Sequence, residues 1–426
     1  MGKELVLDGP YANEDFYNFS STSLLPRHRW YYFKEGFSVG IVKEAIRAQS
    51  KNKLKIIDPF NGSGTTALTS ALMGHDATGV EVNPFLQFAT QIKTTCFQPK
   101  RSSFLNTLKQ VSHESRGGSY SDLEGFSTFT PSKKLNKWLF NTSVIRRYSG
   151  IIKSIEKLPE HQKIKDILRF SAIVATIENS NAKKDGKGLK YKKNWNEKSY
   201  NGESLFFSFE AISRMMLDDL ISTPLQADEP SIHLSDSRQF LLNKDFSEEE
   251  YDLVVTSPPY MNSFDYTDVY RAELFLGGFV KNNVELNLLR HKTVRSHVQV
   301  DWNKEISYES ELLRPYFEKL EESKEILWSS RIPLMMKAYL DDLNTVLKGL
   351  YNRLKKGGEV WLVVSTSAYA GVHIPVDILI GNIGHDLGYS LKGIHCLRYL
   401  RTSSQQYNQL GTKKAPLRES LIILKK

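Results

Sequence analysis

Three features of the 426-residue sequence predict an α/β fold, doubly wound around a mainly parallel sheet and interrupted by a mostly helical insertion. A short apolar strand, a glycine-bearing loop, a small-residue helix and a second strand follow one another between Lys53 and Val82. Helix-like sequence then fills about 100–228, and apolar strand-like runs return afterwards. Strand, helix, strand in so short a span makes a βαβ unit, whose two strands lie parallel in one sheet.

The first strand is read at Lys53–Asp58 and runs into the loop Pro59-Phe60-Asn61-Gly62-Ser63-Gly64. Thr65 to Met73 is rich in small residues and is closed by Gly74, a helix with a glycine stop. The second strand is Ala77–Val82, ended by Asn83-Pro84. In the insertion, helical periodicity falls at Ser143–Ile155, Lys163–Glu178 and Ser208–Leu220, broken by a lysine-rich stretch from Asn181 to Tyr200. Strands resume at Ile232–Asp236, at Tyr251–Thr256, at Glu359–Ser365 after a turn Lys355–Gly358, and at Ser420–Leu424. The expected organisation is a sheet divided between residues 1–99 and 229–426, with 100–228 inserted.

A formal net charge of +9 favours a polyanionic partner, nucleic acid before membrane. The N-terminal residues lack the basic-then-apolar layout of a signal peptide, and no apolar run is long enough to span a bilayer. Cys96 and Cys396 stand far apart and in no metal-binding spacing, so neither a disulfide framework nor a zinc cluster is expected. These features fit a cytoplasmic protein with no metal.

The loop Asp58-Pro-Phe-Asn-Gly-Ser-Gly-Thr-Thr66 carries the first chemical signal. Glycines at a strand-to-helix junction let backbone approach a ligand, and the helix N-terminus offers free N–H groups. A tight turn alone would explain the glycines. No Lys-Ser or Lys-Thr follows the second glycine, as a phosphate-binding loop requires, and Thr66-Ala67 supplies no third glycine for a dinucleotide fold. Glu81 ends the second strand 23 residues after Asp58, near the spacing at which an acidic residue meets a ribose hydroxyl. Together they point to an adenosine-containing cofactor.

The second signal is Leu253-Val-Val-Thr256-Ser257-Pro258-Pro259-Tyr260. Consecutive prolines fix an extended loop without N–H donors at a strand's carboxyl end, where open α/β sheets bind ligands. A tyrosine that merely packs is the plainer reading of Tyr260.

The two loops resemble the cofactor and catalytic motifs of cytosine-N4 and adenine-N6 DNA methyltransferases. His28-Arg-Trp-Tyr-Tyr-Phe-Lys-Glu-Gly-Phe-Ser38 resembles the segment before the first strand in that family, and Asp236-Ser237-Arg238 resembles its third-strand motif. The resemblance implies a Rossmann-like methyltransferase sheet and S-adenosyl-L-methionine as cofactor. It places that cofactor against Phe33, Asp58, Phe60, Gly62, Gly64, Thr65, Glu81, Asp236 and Thr256. The catalytic loop is then Ser257, Pro258, Pro259 and Tyr260, acting on a base flipped from double-stranded DNA. Ser257 is the commoner residue in cytosine-N4 enzymes, so N4-methylcytosine is the expected product, with adenine N6 as the alternative. An accompanying restriction system in a prokaryotic or phage-like setting follows from the same likeness. A cytosine-C5 mechanism would need a nucleophilic cysteine beside its proline motif, and neither cysteine has that context. An RNA amino-methyltransferase and a silent DNA-binding subunit are the rival readings.

DNA contact is expected from the insertion, chiefly from Lys183 to Lys193 with its interleaved aromatics, although a solvated surface loop has the same composition. Residues 280–350, with Arg290, Lys292 and Arg295, are the competing region. The aromatic run Trp30–Phe33 is read as core and pocket wall. Asp265 and Tyr266 are placed beside the base pocket, with helix capping an equal explanation for Asp265.

Overall fold

A computed structural model describes residues 6–7, 11–12, 16, 19–185, 188–197, 200–243, 250–300, 302, 306–400 and 417–426. Twelve strands are found among them: β1 Val6–Leu7, β2 Lys55–Asp58, β3 Asp76–Glu81, β4 Ala182–Asp185, β5 Gly188–Tyr191, β6 Ser231–Leu234, β7 Tyr251–Thr256, β8 Leu354–Ser365, β9 Ser367–Tyr369, β10 Val372–Ile374, β11 Ser390–Leu400 and β12 Leu417–Lys425. Eight form one sheet in the order β1-β11-β12-β8-β7-β2-β3-β6. From β8 to β6 every neighbour is parallel, while β12 runs antiparallel to both β8 and β11. The doubly wound Rossmann-like sheet with a helical insertion is the observed architecture.

Strand periodicity explains how the sheet is covered. Ile57, Val254, Val360, Leu362, Ile422 and Leu424 point to one face, into an apolar cluster with the helices Ile332–Arg353 and Val376–Asp386. Their alternates Ile56, Leu253, Val255, Trp361, Leu421 and Ile423 join the helix Val39–Arg47 on the other face. Side chains alternate across a strand, so a near-continuous apolar run is what a central strand buried on both faces requires. Every residue of β7 is buried.

The insertion forms the helices Arg101–Glu114, Thr142–Lys157, Gln162–Glu178 and Gly202–Ser222, which contain the three expected segments. Their apolar faces join Trp30, Tyr31, Phe33, Phe85 and the 264–276 segment in one continuous cluster. Among the described residues, no helix is long and apolar enough to cross a membrane.

Three sequence expectations need correction. Lys355–Gly358 is a bulge within β8 rather than a turn before it: pairing jumps from Tyr251 with Leu354 to Leu253 with Glu359, and Gly357 takes φ +82°. The segment 182–191 is a two-stranded hairpin rather than a loop, and its Lys184 points inward. Strand β6 stops at Leu234, because Asp236 caps the helix Ser237–Leu242 by accepting from Arg238 N. Strand β11 is absent from the sequence reading. Register shifts at Leu391/Gly393 and Cys396/Arg398 break its alternation, the pattern by which a strand is read.

Candidate active site

The chain order reverses at β2: the next strand along the sheet on one side is β3, and on the other is β7. Ligands in open α/β sheets bind outside the carboxyl ends of strands at such a switch point. Asp58 ends β2 and Thr256 ends β7, and Thr256 Oγ1 donates to Asp58 Oδ1 at 2.6 Å. Thr66 Oγ1 donates to Val255 O at 2.9 Å, a second tie between the glycine loop's helix and β7. Ser257 to Tyr260 therefore leave the sheet beside the glycine loop.

A cavity of about 390 Å³ opens there. Phe33, Phe60, Gly62, Glu81, Asp236 and Ser257 to Tyr260 line it. Asp58, Gly64, Thr65 and Thr256 are buried behind this wall rather than in its lining. They act through structure: Asp58 accepts from Phe60 N at 3.0 Å, fixing the loop's first turn.

Glu81 holds the loop from the other side. Its Oε2 accepts from Gly62 N at 2.7 Å and its Oε1 from Asn83 N at 2.8 Å. Burial pushes its carboxyl up to about 7, and that of Asp58 up to about 6. Gly62 adopts φ +50°, and a Cβ there would stand 3.0 Å from Phe33 Cε1. Gly64, at φ +83°, would set a Cβ 2.5 Å from Thr90 Cγ2. Glycine is needed at both positions by conformation and by space.

These features fit S-adenosyl-L-methionine. Glu81 faces the cavity with acceptor lone pairs to spare, and Phe33 supplies an aromatic wall. The cavity holds acceptors for hydroxyl and ammonium donors, and its acidic groups suit a cationic ligand. Asp236 lines the cavity too, but its carboxylate is already engaged by the Arg238 guanidinium at 2.6 to 3.1 Å.

The sequence reading missed several lining residues. Glu35 borders the cavity and accepts from the Tyr270 hydroxyl, and burial raises its pKa. Behind it Lys184 Nζ donates to Glu273 Oε1 at 2.5 Å and sits 3.8 Å from the Tyr270 ring centroid. Glu419 and Arg398 reach the cavity from β12 and β11. Lys292, Thr293, Val294 and Ser296 close another side. A lone acidic residue opening an apolar strand was the one sequence signal for Glu419.

The Ser-Pro-Pro-Tyr loop and the residues after it are clamped at several points. Tyr260 Oη donates to Glu419 Oε1 at 2.8 Å, and Met261 O accepts from Ser367 Oγ and Tyr369 Oη at 2.5 and 2.7 Å. Ser263 N donates to Ser296 O at 3.0 Å. Burial and the Glu419 charge hold the Tyr260 phenol well above its usual pKa, so it remains a donor. Tyr266 lines the cavity, whereas Asp265 caps the helix Tyr266–Val269 and accepts from Arg290 Nε at 2.6 Å.

Of the expected DNA-facing cations, Arg295 is buried against Asp341 and Asp342, and Lys192 Nζ donates to Glu178 O and Tyr200 Oη. Lys183, Lys190 and Lys193 are exposed, while Lys187 lies outside the described residues.

Comparisons with known proteins agree with this geometry. The family model described as DNA methylase, of the N6 and N4 type, matches residues 11–91. The type II methyltransferase M.AvaI of Nostoc sp. is 28% identical, the alignment covering 96% of this chain and 88% of that protein. M.BsoBI of Geobacillus stearothermophilus is 27% identical over 94% of this chain and 85% of its own length. M.MvaI of Kocuria varians, also a type II methyltransferase, is 22% identical over 59% of this chain and 57% of its own. With the glycine loop and the Ser-Pro-Pro-Tyr loop meeting at one crevice, these likenesses agree on one conclusion: the chain is similar to the N4/N6 amino-DNA methyltransferases.

Proposed function

We propose that the protein is a site-specific methyltransferase of double-stranded DNA that uses S-adenosyl-L-methionine and forms N4-methylcytosine. The observation that carries this reading is the lining of one cavity by Gly62 and Glu81 together with Ser257, Pro258 and Tyr260. Cofactor pocket and catalytic loop are thus a single space.

The cofactor's sulfonium supplies an electrophilic methyl group. The protein's task is to bring an exocyclic nitrogen in line with that group, which is largely a matter of positioning. That lone pair is delocalised into the base ring. Ser257 Oγ and the Pro258 carbonyl accept the two amino hydrogens and favour a more tetrahedral, nucleophilic nitrogen. The prolines keep this pair of acceptors rigid, and their missing N–H groups leave no competing donor beside the target amine. Tyr260 stacks on the flipped base; flipping costs a few kcal/mol and stacking returns about 1–3 kcal/mol.

The neutral hydroxyl of Ser257 favours cytosine over adenine. As a partner of the type II enzymes it resembles, a restriction nuclease of the same specificity fits this reading. Exposed Lys183 and Lys190 on β4 and β5, Lys193 just after them, and the insertion that bears all three are the surface we assign to DNA. Mass spectrometry of nucleosides from DNA and RNA of cells expressing the chain tests the proposal. N4-methylcytosine in DNA supports it; N6-methyladenine alone moves the target base, and methylation confined to RNA overturns it.

A further inference from the structure

We infer that Glu419, fixed by Arg398, is a positioning residue for Tyr260 that holds the ring in its stacking orientation; this rests on the proposed role of Tyr260 against the target base.

Both carboxylate oxygens are engaged. Oε1 accepts from Tyr260 Oη at 2.8 Å, and Oε2 accepts from Arg398 Nε at 2.7 Å. Arg398 and Glu419 are directly opposite each other in the antiparallel β11–β12 pair, so the ion pair is a cross-strand pair at the cavity rim. The facing of Glu419 is fixed from behind. Its neighbours Arg418 and Ser420 both donate to the fully buried Asp377, at 2.8 and 2.6 Å. Side chains alternate across a strand, so anchoring these two on one face turns Glu419 toward the cavity on the other.

Tyr260 has two side-chain torsions, which the rigid backbone of Pro258 and Pro259 does not itself set. A hydrogen bond at the far end of the ring removes that freedom. The phenol is protonated at neutral pH and donates, so Glu419 serves as an acceptor and a pivot. Its oxygens are aimed at Tyr260 and Arg398, so Tyr260 is the group that it positions.

The test uses the full-length protein. Glu419→Ala is expected to lower kcat about tenfold to a hundredfold, as misplacement of about 1 Å can do, with cofactor affinity unchanged. Glu419→Gln keeps an acceptor for the phenol and should recover most of the rate. In a Tyr260→Phe background, Glu419→Ala should add less than twofold. A wild-type kcat in Glu419→Ala, or losses that multiply in the double variant, would overturn the proposal. A second readout needs no turnover: 3-fluorotyrosine placed at position 260 should change its fluorine resonance in Glu419→Ala and in Glu419→Gln. An unmoved resonance in both also overturns it. Should the wild type methylate no DNA, the proposed function fails, while the fluorine measurement still decides the positioning role.

Discussion

Thr256 Oγ1 and Asp58 Oδ1 meet at 2.6 Å across 198 positions of sequence, and through them the glycine loop and the Ser-Pro-Pro-Tyr loop share one anchor. Thr256→Val keeps the shape and removes the donor from a buried acceptor. Oδ1 keeps its bond from Phe60 N, so the loss is one hydrogen bond to a charged group, about 1.5–3 kcal/mol, and the urea midpoint and cofactor affinity should both fall. A calorimetric titration beside a urea melt measures both; unchanged values in each would show the bond to be incidental.

Cofactor affinity should rise with pH. The carboxyls of Asp58 and Glu81 stand at about 6 and about 7 when folded, against 3.8 and 4.5 unperturbed. Folded pKa values lie above unfolded ones, so the stability these groups contribute is full below the unfolded values and is lost as pH rises through the folded ones. Of the two only Glu81 faces the cavity, and a cationic ligand with hydroxyl donors favours its ionised form, so binding releases a proton near pH 7 and strengthens toward pH 8. Calorimetry at pH 6.5 in two buffers of different ionisation enthalpy reads the released proton directly. A pH-independent affinity with no proton release would contradict this.

Ser257→Ala should lower the single-turnover rate by about tenfold to a hundredfold, the equivalent of one hydrogen bond to a charge-developing centre. Tyr260→Ala should do at least as much and also weaken binding of DNA whose target base is unpaired. Cofactor affinity is the fold control in both. Rates at the wild-type level in both variants would reduce the loop to a structural strand exit.

Lys184→Met should destabilise strongly, because Glu273 is fully buried and would lose its ion partner. Breaking a buried pair from one side typically costs about 3–5 kcal/mol. The double change Lys184→Met with Glu273→Gln should recover much of the loss. Lys190→Gln, on the same hairpin but exposed, should leave the melting temperature within a degree or two. Thermal melts of the four proteins distinguish the inward lysine from the outward one.

Replacing Lys183, Lys190 and Lys193 together with glutamine should lower DNA affinity and flatten its salt dependence, since each lost phosphate contact releases fewer counterions. Binding isotherms across a salt series measure both. Wild-type slopes would move DNA recognition to the other side of the cleft.

The sequence made the sheet's centre legible because β2, β3 and β7 are apolar strands punctuated by glycine or proline, and local pattern is enough to read them. Phe33, Gly62, Glu81 and Ser257 to Tyr260 were legible for the same reason: each sits at a strand end or loop with a recognisable spacing. Glu419, Arg398, Glu35 and Lys184 were not. Each is a charged residue whose place depends on a partner far away in sequence, so nothing near it distinguishes it from a solvated surface residue. Lys184 in particular stood in a run of lysines that all looked exposed. Asp236 was legible as a motif, but its engagement by Arg238 depended on where β6 ended.

Pairing of β2 with both β3 and β7 also bears on how the chain is made. β3 follows β2 within a few dozen residues, whereas β7 arrives only after the whole helical insertion has been synthesised. Until then one edge of β2 lacks its partner, and an unpaired apolar strand edge is a template for aggregation. The intervening helices pack against Phe85 and Phe88. Deleting them would bare that apolar face as well, so their loss should be felt first in soluble yield.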